Sequence, residues 1–99
     1  VIRYTTLDGW LDTFNCPNFG DINYTMREAL SLYALHGVQL GGFGRALIAG
    51  DLASASVRAD LENTAVLPKL VQWCQVNLPP EARGSYDAVN NWKGCKPRL

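Results

Sequence analysis

The chain has 99 residues, 47% of them hydrophobic, with nine basic and nine acidic side chains and a formal net charge of zero. That length makes one domain, and the hydrophobic share excludes a disordered chain. The charge balance excludes a general DNA or RNA binder, whose affinity comes from neutralising many phosphates. A small anionic ligand stays open, because it needs only one or two local cations.

Three cysteines, Cys16, Cys74 and Cys95, form no CxxC pair. An odd set fits reduced thiols in a cytoplasm better than a secreted disulfide framework. No signal peptide is evident, and no apolar run approaches the roughly 20 residues of a membrane span. A chain this short buries only roughly 60–65% of its unfolded surface, and oligomerisation is a common remedy for so small a core.

Residues 1–23 read as an aromatic arm. Leu7, Trp10, Leu11 and Phe14 have the spacing of a short amphipathic helix, and Cys16-Pro17-Asn18-Phe19-Gly20 reads as a loop. The arm packs either on the domain or on a neighbouring subunit. The helical domain spans residues 24–94. It opens at Thr25, where Thr25 and Glu28 have capping-box spacing. Met26, Ala29, Leu30 and Tyr33 share one face, and Gly37 ends the helix. Gly41-Gly42 allows an unusual turn before a short helix over Phe43–Ala49, stopped at Gly50. Asp51 then caps a long helix from Leu52 to about Leu78, kinked near Asn63–Leu67 by Pro68, which removes a donor and clashes with the preceding turn.

Pro79-Pro80 ends that helix. Ser85 caps another, with Asp87 in its first turn, and Gly94 stops it. Residues 95–99 form a basic tail. No run has the period of a β-strand, so the expected fold is all-α: one long kinked helix packed with shorter helices, in an oligomer.

Catalytic chemistry finds few residues to carry it. His36 is the single histidine, at a helix end where its cation offsets the helix dipole. No metal ligand set is evident, and the carboxylates Glu28, Asp51, Asp60 and Glu62 sit mostly where caps and solvated faces explain them. No cofactor is expected. Gly41-Gly42-Phe43-Gly44 precedes a helix, whose first amides can bind an anion. It lacks the ending of a P-loop, and tight helix–helix turning explains it better than anion binding does. Arg58 is either a surface ion-pair member or a phosphate or partner contact. Tyr33, Tyr86, Trp73 and Trp92 supply flat faces for the core or for a base.

The ordered set Tyr33-Ala34-Leu35-His36-Gly37, Gly41-Gly42-Phe43, Ala46-Leu47, Asp51-Leu52, Arg58-Ala59-Asp60, Asn63, Trp73, Leu78-Pro79, Gly84-Ser85 and Trp92 resembles a family of small helical phage proteins, the anti-CBASS cyclic-nucleotide sponges of the second type. The resemblance covers about residues 27–93. It implies a helical protomer in a compact oligomer, such as a hexamer, in the cytoplasm of an infected bacterium. Such sponges hold a cyclic di- or trinucleotide between subunits without cleaving it, so the host's antiviral effector never meets its activator. On that reading Tyr33 stacks on a base, Arg45, Lys69 and Arg83 meet phosphates, and His36, Asn63 and Ser85 supply hydrogen bonds. Two positions depart from the family pattern: Gly44 replaces a larger apolar residue and Gly50 replaces Asn. The competing reading is a protein–protein interaction module that inhibits a host protein through the aromatic arm; a small enzyme acting on a nucleotide signal is the third.

Overall fold

A computed structural model describes residues 4–96. Within them are seven α-helices, two 3-10 turns and no strand. Residues 97–99 of the expected basic tail lie outside the described residues.

Helix α1 is Leu7–Asp12, begun by the Thr6 hydroxyl, which accepts the Gly9 amide at 3.1 Å. Its buried face is the one the periodicity marks: Trp10 and, just beyond the helix, Phe14 are buried in the common core with Phe19 and Ile22. Residues 4–22 are therefore an integral part of the domain. A 3-10 turn at Pro17–Phe19 leads to α2, Tyr24–His36.

The cap of α2 is Asn23, not Thr25. The Asn23 side chain accepts the Met26 amide at 2.8 Å, so the helix begins two residues earlier than the capping-box spacing implies. Asn is at least as good an N-cap as Thr, and once it takes that amide the Thr25 hydroxyl has no capping role. Arg27 then ties the preceding loop to the helix: its Nε donates to the Ile22 carbonyl at 2.6 Å and one Nη to the Gly20 carbonyl at 2.8 Å. Charge-assisted bonds of this kind contribute about 1.5–3 kcal/mol each, but here they are partly exposed. Arg27→Ala is expected to cost about 2 kcal/mol in urea unfolding, with Arg27→Lys recovering only part, because an ammonium cannot fork between two carbonyls.

Gly37 ends α2 in the left-handed region, at φ 71°. Helix α3, Gly42–Ala49, and its stop at Gly50 follow the expectation closely. Asp51 caps α4 by accepting the Ser54 amide at 3.2 Å.

The single long helix does not form. The segment is three helices: α4 Leu52–Arg58, α5 Leu61–Ala65 and α6 Leu67–Asn77. The first break lies well before the proline. Ala59 is extended, and Asp60 starts a new helix by accepting the Asn63 amide at 2.7 Å. Pro68 then stands in the first turn of α6, where a missing donor costs nothing. Leu52 and Ala55 thus lie on α4, while Leu70 and Cys74 lie on α6, a different axis.

Leu78 ends α6, and a 3-10 turn at Pro80–Ala82 leads to α7, Tyr86–Asn91. Ser85 caps α7 as expected, accepting the Ala88 amide at 3.0 Å. Helix α3 packs against α4, α6 and α7, and α1 against α2. The chain then returns to α2: the Cys95 and Lys96 amides donate to the Ala34 and Leu35 carbonyls at 3.0 and 2.8 Å. These carbonyls lie in the last turn of α2, where intrahelical donors run out.

Candidate functional site

An open groove of about 580 Å³ lies between α2 and the segment that joins it to α3. Met26, Ala29 and Leu32 form one wall; Val38, Leu40 and Phe43 form the other. Helical period places the first three on one stripe of α2, and the glycines let the connector run close beside it. Gly44 has a structural use here. A Cβ at this position would stand 2.6 Å from the Leu40 Cβ, so Leu40 occupies the space a larger residue at 44 would need. The glycine at 44 is thus matched within the chain by the leucine four residues earlier.

Thr25, Glu28 and Gln39 also line the groove, which reaches the start of α3 at Gly41 and Gly42. Gly41 caps α3 without a side chain, so no hydroxyl or carboxylate takes the first amides of the helix. The Arg58 guanidinium lies over Gly42: a Cβ added there would be 2.9 Å from Arg58 Nη1. Arg58, the last residue of α4, also acts electrostatically on a polar pair at the start of that helix, Asp51 and Tyr86. The Tyr86 hydroxyl donates to Asp51 Oδ2 at 2.7 Å, which holds the Asp51 carboxyl below its usual range; Arg58 lowers it further. The sequence singled out Gly41-Gly42-Phe43-Gly44 and Arg58 separately, and the fold brings them together.

The other residues named from the sequence are not gathered. Tyr33 is fully buried, and its hydroxyl donates to the Ala82 carbonyl at 2.6 Å, so in this fold it offers no face to a base. Arg45 is held by two neutral partners, Gln39 Oε1 at 2.7 Å and Asn90 Oδ1 at 2.6 Å. Lys69 pairs with Asp21 at 2.6 Å, which lowers the Asp21 pKa. Arg83 donates to the Leu78 carbonyl and to Gln75 Oε1, both at 3.1 Å. His36 Nδ1 donates to the Lys96 carbonyl at 2.7 Å. Ser85 caps α7, and Asn63 donates its amide to Asp60. Apart from the Asn63 side chain, whose buried Oδ1 has no hydrogen-bond partner, each has its own local partner, and none of them lines the groove. Leu32, Val38 and Leu40, which do, carried no signal beyond ordinary hydrophobicity.

Among the described residues no group of three or more His, Cys, Asp or Glu side chains could hold a metal ion. None of their helices is long and apolar enough to cross a membrane. Cys74 is buried in the core, and burial pushes its thiol up to about 12. Burial also raises the Tyr33 hydroxyl above its ordinary range. Both groups hold their protons in the folded chain at pH values where the unfolded chain releases them. Their contribution to stability is complete below about pH 9 and is lost as pH climbs toward 12. Circular dichroism across pH 8–12 is expected to show alkaline unfolding, and Cys74→Ala to remove part of the pH dependence.

No protein-family profile, curated protein or solved structure matches the chain. What fold and groove define is a small all-helical domain with an open, mostly apolar cleft whose lining also includes Thr25, Glu28 and Gln39.

Proposed function

We propose that the protein is a non-catalytic binder that withdraws a cyclic di- or trinucleotide from antiviral signalling in a phage-infected bacterial cell, holding it as a homo-oligomer. The groove beside α2 carries this reading. Its volume lies within the roughly 300–1,000 Å³ typical of small-ligand sites. An apolar wall with Phe43 suits a base, and a helix start beside Arg58 suits a phosphate. The place comes from the groove, and the ligand class comes from the family resemblance. The contacts therefore move from Tyr33, Arg45, Lys69 and Arg83 to Phe43, Arg58 and the first amides of α3.

Silencing a micromolar signal stoichiometrically needs nanomolar affinity, about −12 kcal/mol. Calorimetry with a panel of cyclic di- and trinucleotides tests this directly. The expected result is tight binding of at least one, weakened at least tenfold by Arg58→Ala, with the nucleotide recovered chemically intact. No heat from any of the panel ends the proposal, and a cleaved product replaces it with an enzyme. The rival reading, capture of a host protein by residues 1–23, loses its motivation: Trp10, Phe14, Phe19 and Ile22 are buried in this chain's own core.

A further inference from the structure

The segment that joins α2 to α3 forms one wall of the groove with little support from its own backbone. Among the described residues, the main chain of Val38, Gln39 and Leu40 makes no hydrogen bond to another backbone group. Two side chains hold the segment instead. Leu40 lies against Gly44. Gln39 is bonded through both ends of its amide. Its Oε1 accepts from Arg45 Nη1 at 2.7 Å, and its Nε2 donates to the Val89 carbonyl at 3.0 Å and, more weakly, to the Gly37 carbonyl at 3.5 Å. The Val89 carbonyl lies in the last turn of α7, where intrahelical donors run out. Arg45 is itself braced, because its Nη2 donates to Asn90 Oδ1 at 2.6 Å. One guanidinium on α3 thus ties the joining segment to α7. Gln39 lines the groove, and Arg45 and Asn90 do not.

From this we infer that residues 38–40 are a strap along the groove, and that Arg45 is the positioning residue that fixes it, acting through Gln39. A ligand that meets a wall already in place loses less freedom on binding. This role is not that of a phosphate contact. Both acceptors on Arg45 are neutral, so what matters is the fork of the guanidinium, which serves Gln39 and Asn90 together. Lysine keeps the charge and lacks the fork. The effect on ligand rests on the binding reading proposed above; the hold on the strap does not.

Nitrogen-15 relaxation on the ligand-free full chain tests that hold. Backbone order parameters at Val38, Gln39 and Leu40 are expected near ~0.85 in the wild type and below about 0.6 in Arg45→Met and Arg45→Lys. Asn90→Ala, at an exposed site, lowers them less. Values within α2 and α6 stay as they are in all three variants. Calorimetry with the cyclic nucleotide that the wild type binds best reads the consequence. Arg45→Met weakens binding roughly three- to tenfold, the equivalent of about one hydrogen bond, and Arg45→Lys weakens it as much. Strap order unchanged in Arg45→Met overturns the inference, whatever the chain binds. So does affinity that Arg45→Lys keeps and Arg45→Met loses, since charge would then be the operative feature. A strap that loosens with no loss of affinity also overturns it. If the wild type binds no nucleotide, the proposed function falls, and the relaxation data alone decide whether Arg45 holds the strap.

Discussion

Trp73→Ala is expected to lower the unfolding free energy by about 4 kcal/mol, within the roughly 3–5 kcal/mol range for deleting a buried aromatic ring. The ring is fully buried on α6 and holds the N-terminal segment from three directions. It stacks on Phe14 with centroids 4.6 Å apart and planes 11° apart, and it meets Trp10 edge-on at 6.2 Å. Its Nε1 donates to Thr13 Oγ1 at 2.8 Å, and the same hydroxyl donates to the Trp10 carbonyl at 2.6 Å. Trp10 in turn donates to the Tyr4 carbonyl at 3.0 Å. Removing the ring leaves a cavity and breaks a chain of bonds that reaches residue 4. Small domains have only about 5–15 kcal/mol in total, so this variant sits close to unfolding at room temperature. Trp73→Phe keeps the stacking and loses one hydrogen bond, for about 1 kcal/mol plus the smaller ring's lost volume. Urea midpoints check both. A loss under about 1 kcal/mol for the alanine variant would mean that the N-terminal segment is not docked in solution.

The second large effect is expected at Gly94. Its φ is 97°, which costs an L-residue roughly 1–2 kcal/mol. A Cβ there would also stand 2.5 Å from His36 Cα and collide with the Leu35 carbonyl. Gly37 mirrors it, with a Cβ 2.6 Å from the Trp92 carbonyl. The two glycines let the backbones at the end of α2 and after α7 touch, and that approach brings the Cys95 and Lys96 amides onto the last carbonyls of α2. Since both close atoms are backbone, no side chain can swing aside. Gly94→Ala is expected to cost about 3 kcal/mol or more, adding overpacking to the backbone term. It should also expose the Cys95 and Lys96 amides to rapid hydrogen exchange. Gly41→Ala, where a Cβ meets nothing within 4 Å, is the comparison and should cost only the N-cap preference of Gly over Ala, about 1 kcal/mol or less.

Where a structural decision is local, the sequence carries it. Asp51, Ser85, Gly37 and Gly50 stop or start helices through bonds spanning a few residues, and each acts where its chemistry places it. The division at Ala59-Asp60 was hidden because Leu52, Ala55, Ala59 and Val66 keep helical spacing across it. The cue was Asp60 itself, read as a solvated acid although it precedes a new first turn. The side on which residues 4–14 dock depends on Thr13 and Trp73, 60 residues apart, a separation that no short-range pattern encodes. At the candidate site, the glycines and Arg58 were visible as separate chemical possibilities. Tyr33 was misplaced because an aromatic with a polar edge suits a base and a core equally. Its place in the Met26, Leu30 and Tyr33 stripe already pointed inward, and its hydroxyl found the Ala82 carbonyl there.

The closure of α2 by Cys95 and Lys96 also bears on how the protein is made. Residues near the beginning and near position 96 both converge on a helix translated in between. A chain truncated just before position 95 keeps every core residue through Trp92 but leaves the last carbonyls of α2 without these donors, so its product is expected to be more open to proteases at the end of α2.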